Sequence, residues 1–149
     1  MVNLLVLIGW NIGSEKVSLS SSNKVPDKYV PDNSNMSATE YWNRAYDKSE
    51  NGDNYGAIAD YTKAIELDPD YADAYINRGI SKKNLKDYYG AIADYTKAIE
   101  LNPDYAKAYT NRGISKENIG DLNGACSDVR EAINLGSTDS LDFIGKECN

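Results

Sequence analysis

Between residues 88 and 101 the apolar positions are Ala91, Ile92, Tyr95, Ala98 and Ile99. They fall at i, i+1, i+4, i+7 and i+8, the stripe of a helix buried along one side. Asp87, or a residue beside it, can cap the start of that helix. Pro103 follows the stripe, where no helix easily continues. Upstream, residues 72–85 open with small side chains and carry Tyr75, Gly79 and Ile80 on successive turns. This pattern predicts a second helix, so the two segments read as a helical hairpin.

The hairpin is copied. GAIADYTKAIEL occupies residues 56–67 and returns at residues 90–101, a shift of 34. The same shift reaches GACSDVREAINLGSTDS, a decayed third copy, and the preceding halves align as EYWNRAYDKSENGD, AYINRGISKKNLKD and AYTNRGISKENIGD. Three units thus begin near Ala38, Ala72 and Ala106. A fixed period of about 20–50 residues marks a repeat architecture. Small residues keep their phase: Ala57, Ala91 and Ala125; Ala64, Ala98 and Ala132; Gly79 and Gly113, with Ala45 in the first unit. These are positions where two helix backbones approach closely. Such hairpins cannot bury their apolar faces singly, so they stack.

On these residues the chain resembles the tetratricopeptide repeat (TPR) family. Tyr75, Gly79, Ala91, Tyr95, Ala98 and Pro103 carry the family pattern in the second unit, and Tyr41, Ala45, Ala57, Tyr61, Ala64 and Pro69 in the first. The third offers Tyr109, Gly113, Ala125, Val129 and Ala132, with Ser137 in place of Pro. The resemblance implies an all-α superhelix of stacked antiparallel hairpins, with repeats at 38–71, 72–105 and 106–137. It also implies that the first helix of each unit lines a concave groove that takes a peptide or protein partner. Trp42, Asn43 and Tyr46 map to that groove in the first unit. Ile76, Asn77, Ile80, Lys83 and Asn84 map there in the second, and Lys107, Asn111, Ile114 and Asn118 in the third.

Asn43, Asn77 and Asn111 recur one period apart. Each amide offers a donor and an acceptor, so the row either contacts an extended peptide or braces neighbouring repeats. The isoleucines likewise either form pockets or pack between adjacent first helices. One sub-type of the family grips acidic chaperone tails with Lys and Asn in the first repeat, Asn in the second, and Lys and Arg in the third. Here Asn77 and Lys107 match, whereas Trp42, Tyr46 and Asn111 do not, so that ligand is not expected.

Arg44, Arg78 and Arg112 recur with Asp60, Asp94 and Asp128. Each Arg and the Asp sixteen later lie equally far from their hairpin turn and can pair. An Asp could instead reach the Arg of the next unit. Because the whole set is copied, it reads as a structural brace that fixes geometry.

The array is expected to end with the third unit. Gly136 suits a helix C′ position, and residues 138–148 read as a cap helix with Leu141, Ile144 and Cys148 at i, i+3 and i+7. Cys126 and Cys148 are the only cysteines. Each stands about ten residues from the turn at Gly136, so antiparallel helices would bring them level. They read either as a disulfide in an oxidising compartment or as two small buried thiols in cytosol, and the disulfide is preferred.

At the other end, Val2–Trp10 is too short to span a bilayer and long enough for a signal-peptide core. No Lys or Arg precedes it and no A-x-A site follows, so residues 1–13 are either a leader or a segment without a targeting role. Residues 14–37, rich in Ser, Asn and Pro, read as a flexible linker. Export is favoured over a cytoplasmic location by this segment and the cysteine pair.

Composition narrows the chemistry. The net charge is −7 and no basic run exists, which disfavours nucleic acid and anionic membrane surfaces. The chain has no histidine, which removes Ser-His-Asp and Cys-His nucleophiles and His-based zinc sites. Asp68, Asp70 and Asp73 are too few for a calcium loop and better explained by helix capping. No catalytic residue, cofactor or metal is expected. The function classes left are a peptide- or protein-binding module and, alternatively, a self-association adaptor using the convex face or the array ends.

Overall fold

In the computed structural model, six helices follow one another within residues 35–138, the span that the structure describes together with Cys148. They are α1 (Ala38–Glu50), α2 (Asn54–Leu67), α3 (Ala72–Asn84), α4 (Tyr88–Leu101), α5 (Ala106–Asn118) and α6 (Leu122–Asn134). No strand occurs among the described residues, and no described helix is long and apolar enough to cross a membrane. The apolar segment 1–13, nearly all of the linker and the interior of the expected cap helix lie outside the described residues.

Local chemistry sets each boundary. Asp53, Asp87 and Asp121 cap the second helices, accepting from the amides of Gly56, Gly90 and Gly124 at 2.9 Å. A Cβ on Gly90 would lie 2.2 Å from the Asp87 carboxylate, so a larger residue there would make the cap side chain shift. Asp68 and Asn102 are extended before Pro69 and Pro103, as a residue preceding proline prefers, and α2 and α4 stop. Ser37 and Glu40 form a capping box at the start of α1. Met36 packs on the cluster of Tyr41, Ala64 and Ala74, so the folded unit begins before the linker boundary expected at residue 37.

The first helices end in one recurring turn. Its left-handed residue is Gly52 in the first unit, Lys86 in the second and Gly120 in the third. In the second unit the Lys86 amide donates to the Lys83 carbonyl and the Asp87 amide to that of Lys82, closing a Schellman pair. Gly136, with φ at +92°, closes α6 in the same way. Lys86 thus holds a φ of 64° where its counterparts are glycine.

Packing follows the small-residue phases. Each first helix lies on its own second helix, and each second helix on the next first helix. Ala57, Ala91, Ala125, Ala64, Ala98 and Ala132 are fully buried, with Tyr61, Tyr95 and Val129 wedged between them. A Cβ added at Gly79 would meet the Tyr95 ring at 2.7 Å, so the ring sits closer to α3 here than Ala45 would permit at the same place in the first unit, where Tyr61 is buried as fully. α1 also touches α3, and α3 touches α5, whereas no pair of second helices does. The first helices are therefore crowded on the inner side of a curved stack, and the second helices are splayed outside.

A charged brace crosses each hairpin. Arg44, Arg78 and Arg112 each donate from Nε and Nη2 to both oxygens of Asp60, Asp94 and Asp128, at 2.6–3.0 Å. The pairing is within the unit, which resolves the choice that the sequence left open. Lys48, Lys82 and Lys116 meet the same carboxylates at 2.7–2.8 Å. Arg78 also reaches back to the Thr62 hydroxyl, and Arg112 to that of Thr96, both at 3.1 Å. The guanidinium carbons lie 5.1–5.5 Å from the rings of Tyr41, Tyr75 and Tyr109. For Asp60, burial raises the carboxyl pKa, but hydrogen bonds and charge from Arg44 and Lys48 together hold it below its ordinary value.

Two stability outcomes are expected. Replacing Lys86 by Gly removes the left-handed strain and stabilises the chain by about 1 kcal/mol, read as a higher urea midpoint. Asp94→Ala strands two cations and destabilises by about 3 kcal/mol, whereas Asp60→Ala costs less because Arg44 and Lys48 remain 30% and 35% exposed.

Candidate interaction groove

The residues that the sequence assigns to a groove stand on α1, α3 and α5, and the fold treats them differently. Tyr46 is 44% exposed and stacks on Trp42, with ring centroids 5.5 Å apart. Trp42 stacks in turn on Tyr71 at 6.3 Å. The result is an aromatic shelf at the α1 end. Asn43, Asn84, Lys107 and Asn118 are exposed, and Asn77, Ile80, Lys83, Asn111 and Ile114 are half-buried.

Ile76 is a correction. It is only 2% exposed and packs with Ala91, Tyr95, Ala98 and Ala108, so it belongs to the core. Its place in the repeat is Trp42 in the first unit and Thr110 in the third, which hid its burial from the sequence pattern.

The asparagines are not equivalent. Asn77 donates to the Asp73 carbonyl at 3.0 Å and Asn111 to the Lys107 carbonyl at 2.9 Å, each tied to its own helix one turn back. Asn111 also accepts from Lys83 Nζ at 2.8 Å, a link between the second and third units. Asn118 donates to the Ile114 carbonyl at 2.8 Å, and Asn84 to the Asn54 side chain at 3.3 Å. The Asn43 side chain is exposed.

Lys83 has its pKa lowered, first by burial and then by the nearby charge of Lys107. A pocket of about 500 Å³ opens beside Lys107, lined also by Thr110, Asn111, Ile114, Leu135 and Ser137. The Tyr105 hydroxyl donates to Asp73, and burial with that hydrogen bond pushes its pKa up to about 12. Asp73 is thereby engaged in the fold. Asp68 accepts from the Asp70 amide at 3.1 Å within the turn between the units, whereas α3 starts at Tyr71 with no side-chain cap, so the helix capping expected of these aspartates is not the role they take. Among the described residues no group of three or more His, Cys, Asp or Glu side chains is placed to hold a metal ion.

Cys126 and Cys148 are joined by a disulfide, with Cα atoms 5.5 Å apart. Arg130 donates to the Cys148 carbonyl at 3.1 Å beside it.

Several participants escape sequence reasoning. Lys48, Lys82 and Lys116 recur one period apart, four positions after each Arg, and that spacing is the signal that could have found them. Thr62 and Thr96 recur likewise. The Lys83–Asn111 bond carries no such signal, because Lys83 is Glu117 in the next unit.

Three family profiles match the chain. One described as tetratricopeptide repeat covers residues 72–105, another described as TPR repeat covers 49–86, and a further tetratricopeptide repeat profile covers 94–127. Together they span over half of the sequence. No curated protein sequence matches. Among solved structures, the first TPR of Spaghetti (RPAP3) bound to the HSP90 peptide SRMEEVD aligns at TM-score 0.72 and 26% identity, over 74% of this chain and 90% of that one. The second TPR domain of human RPAP3 in complex with the HSP70 peptide SGPTIEEVD aligns at 0.71 and 28%, over 75% and 95%. The Arabidopsis OM64 TPR domain shares the fold at 0.73 and 24%, over 75% and 94%. With three stacked hairpins of one period, equivalent core positions in each, and these matches, the chain belongs to the tetratricopeptide repeat family.

Proposed function

We propose that this chain is a non-enzymatic interaction module that holds a peptide or protein segment against α1, α3 and α5. Tetratricopeptide repeat domains are protein-interaction modules, and two of the similar structures carry bound peptides. The observation that carries the reading here is the contrast between faces. Buried charges in the hairpins are paired, while the inner face keeps the Trp42–Tyr46 shelf, the Asn43 amide and the Asn77 carbonyl oxygen for something else. Aromatic anchors beside unspent amides suit an extended backbone with one or two inserted side chains. The chaperone tails held by the RPAP3 domains are not the proposed ligand, because Trp42, Tyr46 and Asn111 replace the charges and amide that such a clamp needs. The Cys126–Cys148 bond supports an oxidising compartment as the working location.

A second reading rests on a separate observation. Tyr55 and Tyr89 lie one period apart on α2 and α4, 76% and 73% exposed. A row of exposed tyrosines on second helices supports self-association through the outer face.

One set of variants separates the two. The Asn43→Ala, Tyr46→Ala, Ile80→Ala triple variant is expected to weaken partner binding by about tenfold or more in a pull-down titration, with the partner retained by Tyr55→Ser, Tyr89→Ser. Loss of the partner, or of dimers in light scattering, only in the outer-face variant would favour self-association instead.

A further inference from the structure

Along one ridge α1 departs from the repeat. Trp42, Tyr46 and Glu50 stand at i, i+4 and i+8, where the second unit has Ile76, Ile80 and Asn84 and the third has Thr110, Ile114 and Asn118. Packing does not explain the change. Ile76 fills its place wholly within the core, whereas Trp42 buries an indole N–H that meets no acceptor among the described residues. Tyr46 is an exposed ring where its counterparts Ile80 and Ile114 are half-buried. Glu50 is exposed too, and its carboxylate meets no cation among the described residues. The cations of its own helix, Arg44 and Lys48, both meet Asp60 instead.

Resting on the groove reading above, we infer that this ridge receives an arginine side chain of the bound partner, its guanidinium laid on the Tyr46 ring and forked onto the Glu50 carboxylate. Side chains four apart on a helix are neighbours, so one planar cation spans the ring and the acid. Trp42 backs Tyr46 at 5.5 Å and is itself stacked with Tyr71 at 6.3 Å, with interplanar angles of 17° and 24°. The column holds the Tyr46 ring in place before a ligand arrives. The Tyr61 hydroxyl lies within reach of the same groups: burial first, then Tyr46, Glu50 and Tyr71, raise its pKa. The fold already holds guanidinium groups in this manner three times. Arg44, Arg78 and Arg112 each lie 5.1–5.5 Å from a tyrosine ring while forked onto an aspartate.

Charge favours this occupant over others. The chain carries a net charge of −7, and the ridge itself holds an acid and no base, so it attracts basic segments and repels acidic ones. Arginine suits it better than lysine, because a planar and weakly hydrated guanidinium stacks and forks at once. An apolar side chain would use the rings but would desolvate Glu50 without pairing it.

The test is selection from a bead-displayed library of random nonapeptides, acetylated and amidated so that no terminal charge competes. Wild type is expected to enrich arginine at one position. Replacing that arginine by citrulline, which keeps the shape and removes the charge, should weaken binding about fivefold or more. The comparison protein is Tyr46→Ile, Glu50→Asn, which gives α1 the residues that the second and third units already carry there. The fold is therefore expected to persist, and a melting curve checks it. In that variant the citrulline penalty should fall below about twofold. If it binds too weakly to measure, Glu50→Asn alone, which keeps both rings, reads the same loss of penalty. Enriched peptides without an arginine preference, or a citrulline penalty that persists in these variants, would overturn the inference and leave the groove reading standing. No enrichment at all, or enrichment undiminished in the Asn43→Ala, Tyr46→Ala, Ile80→Ala variant, would remove both.

Discussion

Everything in this fold depends on how closely two helices can approach. As Tyr61 does in the first hairpin, Tyr95 lies wholly inside the second because the facing residues, Ala45 and Gly79, are small. Ala91 and Ala98 leave the same ring room on its own helix. A tyrosine or valine of equal phase does this in each unit, flanked by alanines one turn either side. Neither helix could hide that surface alone, and the second helix offers its remaining stripe to the next hairpin. Stacking is then the only way to dry the apolar faces, and the identical phases make every step of the stack alike.

The brace settles orientation where apolar contact does not. A bidentate Arg–Asp pair with a lysine on the same carboxylate pins the two helices of a hairpin at one height. The extra bond from Arg78 to Thr62 carries that register back to the preceding unit. Charges buried in this way are worth more as locators than as a source of stability. Once they are satisfied internally, the inner side chains that are left unpaired become the informative ones. The inner faces of the units differ where the repeats do not share a residue: Trp42 and Tyr46 in one unit, Lys83 in the next, Lys107 in the last.

Much of this was legible in the sequence, for a physical reason. A repeat states each packing rule several times, so Ala91, Tyr95, Ala98 and the Asp87 cap declared their roles by recurrence. Residues that depart from the pattern carried no such statement. Ile76 maps to the groove by its position in the first helix, with packing against its neighbours as the alternative, and it lies in the core with Tyr95. The Lys83–Asn111 bond depends on a long side chain crossing between units, which periodicity does not encode. The choice of Asp partner for each Arg required the hairpin's actual height matching. The left-handed Lys86 was hidden because lysine gives no sign of the turn that Gly52 and Gly120 announce.

The central claim is that the first helices, and not the second, form the working surface. Hydrogen exchange of the chain with and without its bound partner reads this directly, because protection is resolved along the sequence. The account predicts added protection confined to α1, α3 and α5, strongest around Tyr46, Ile80 and Asn111. Protection concentrated on α2 and α4 around Tyr55 and Tyr89, with the first helices unchanged, would contradict it.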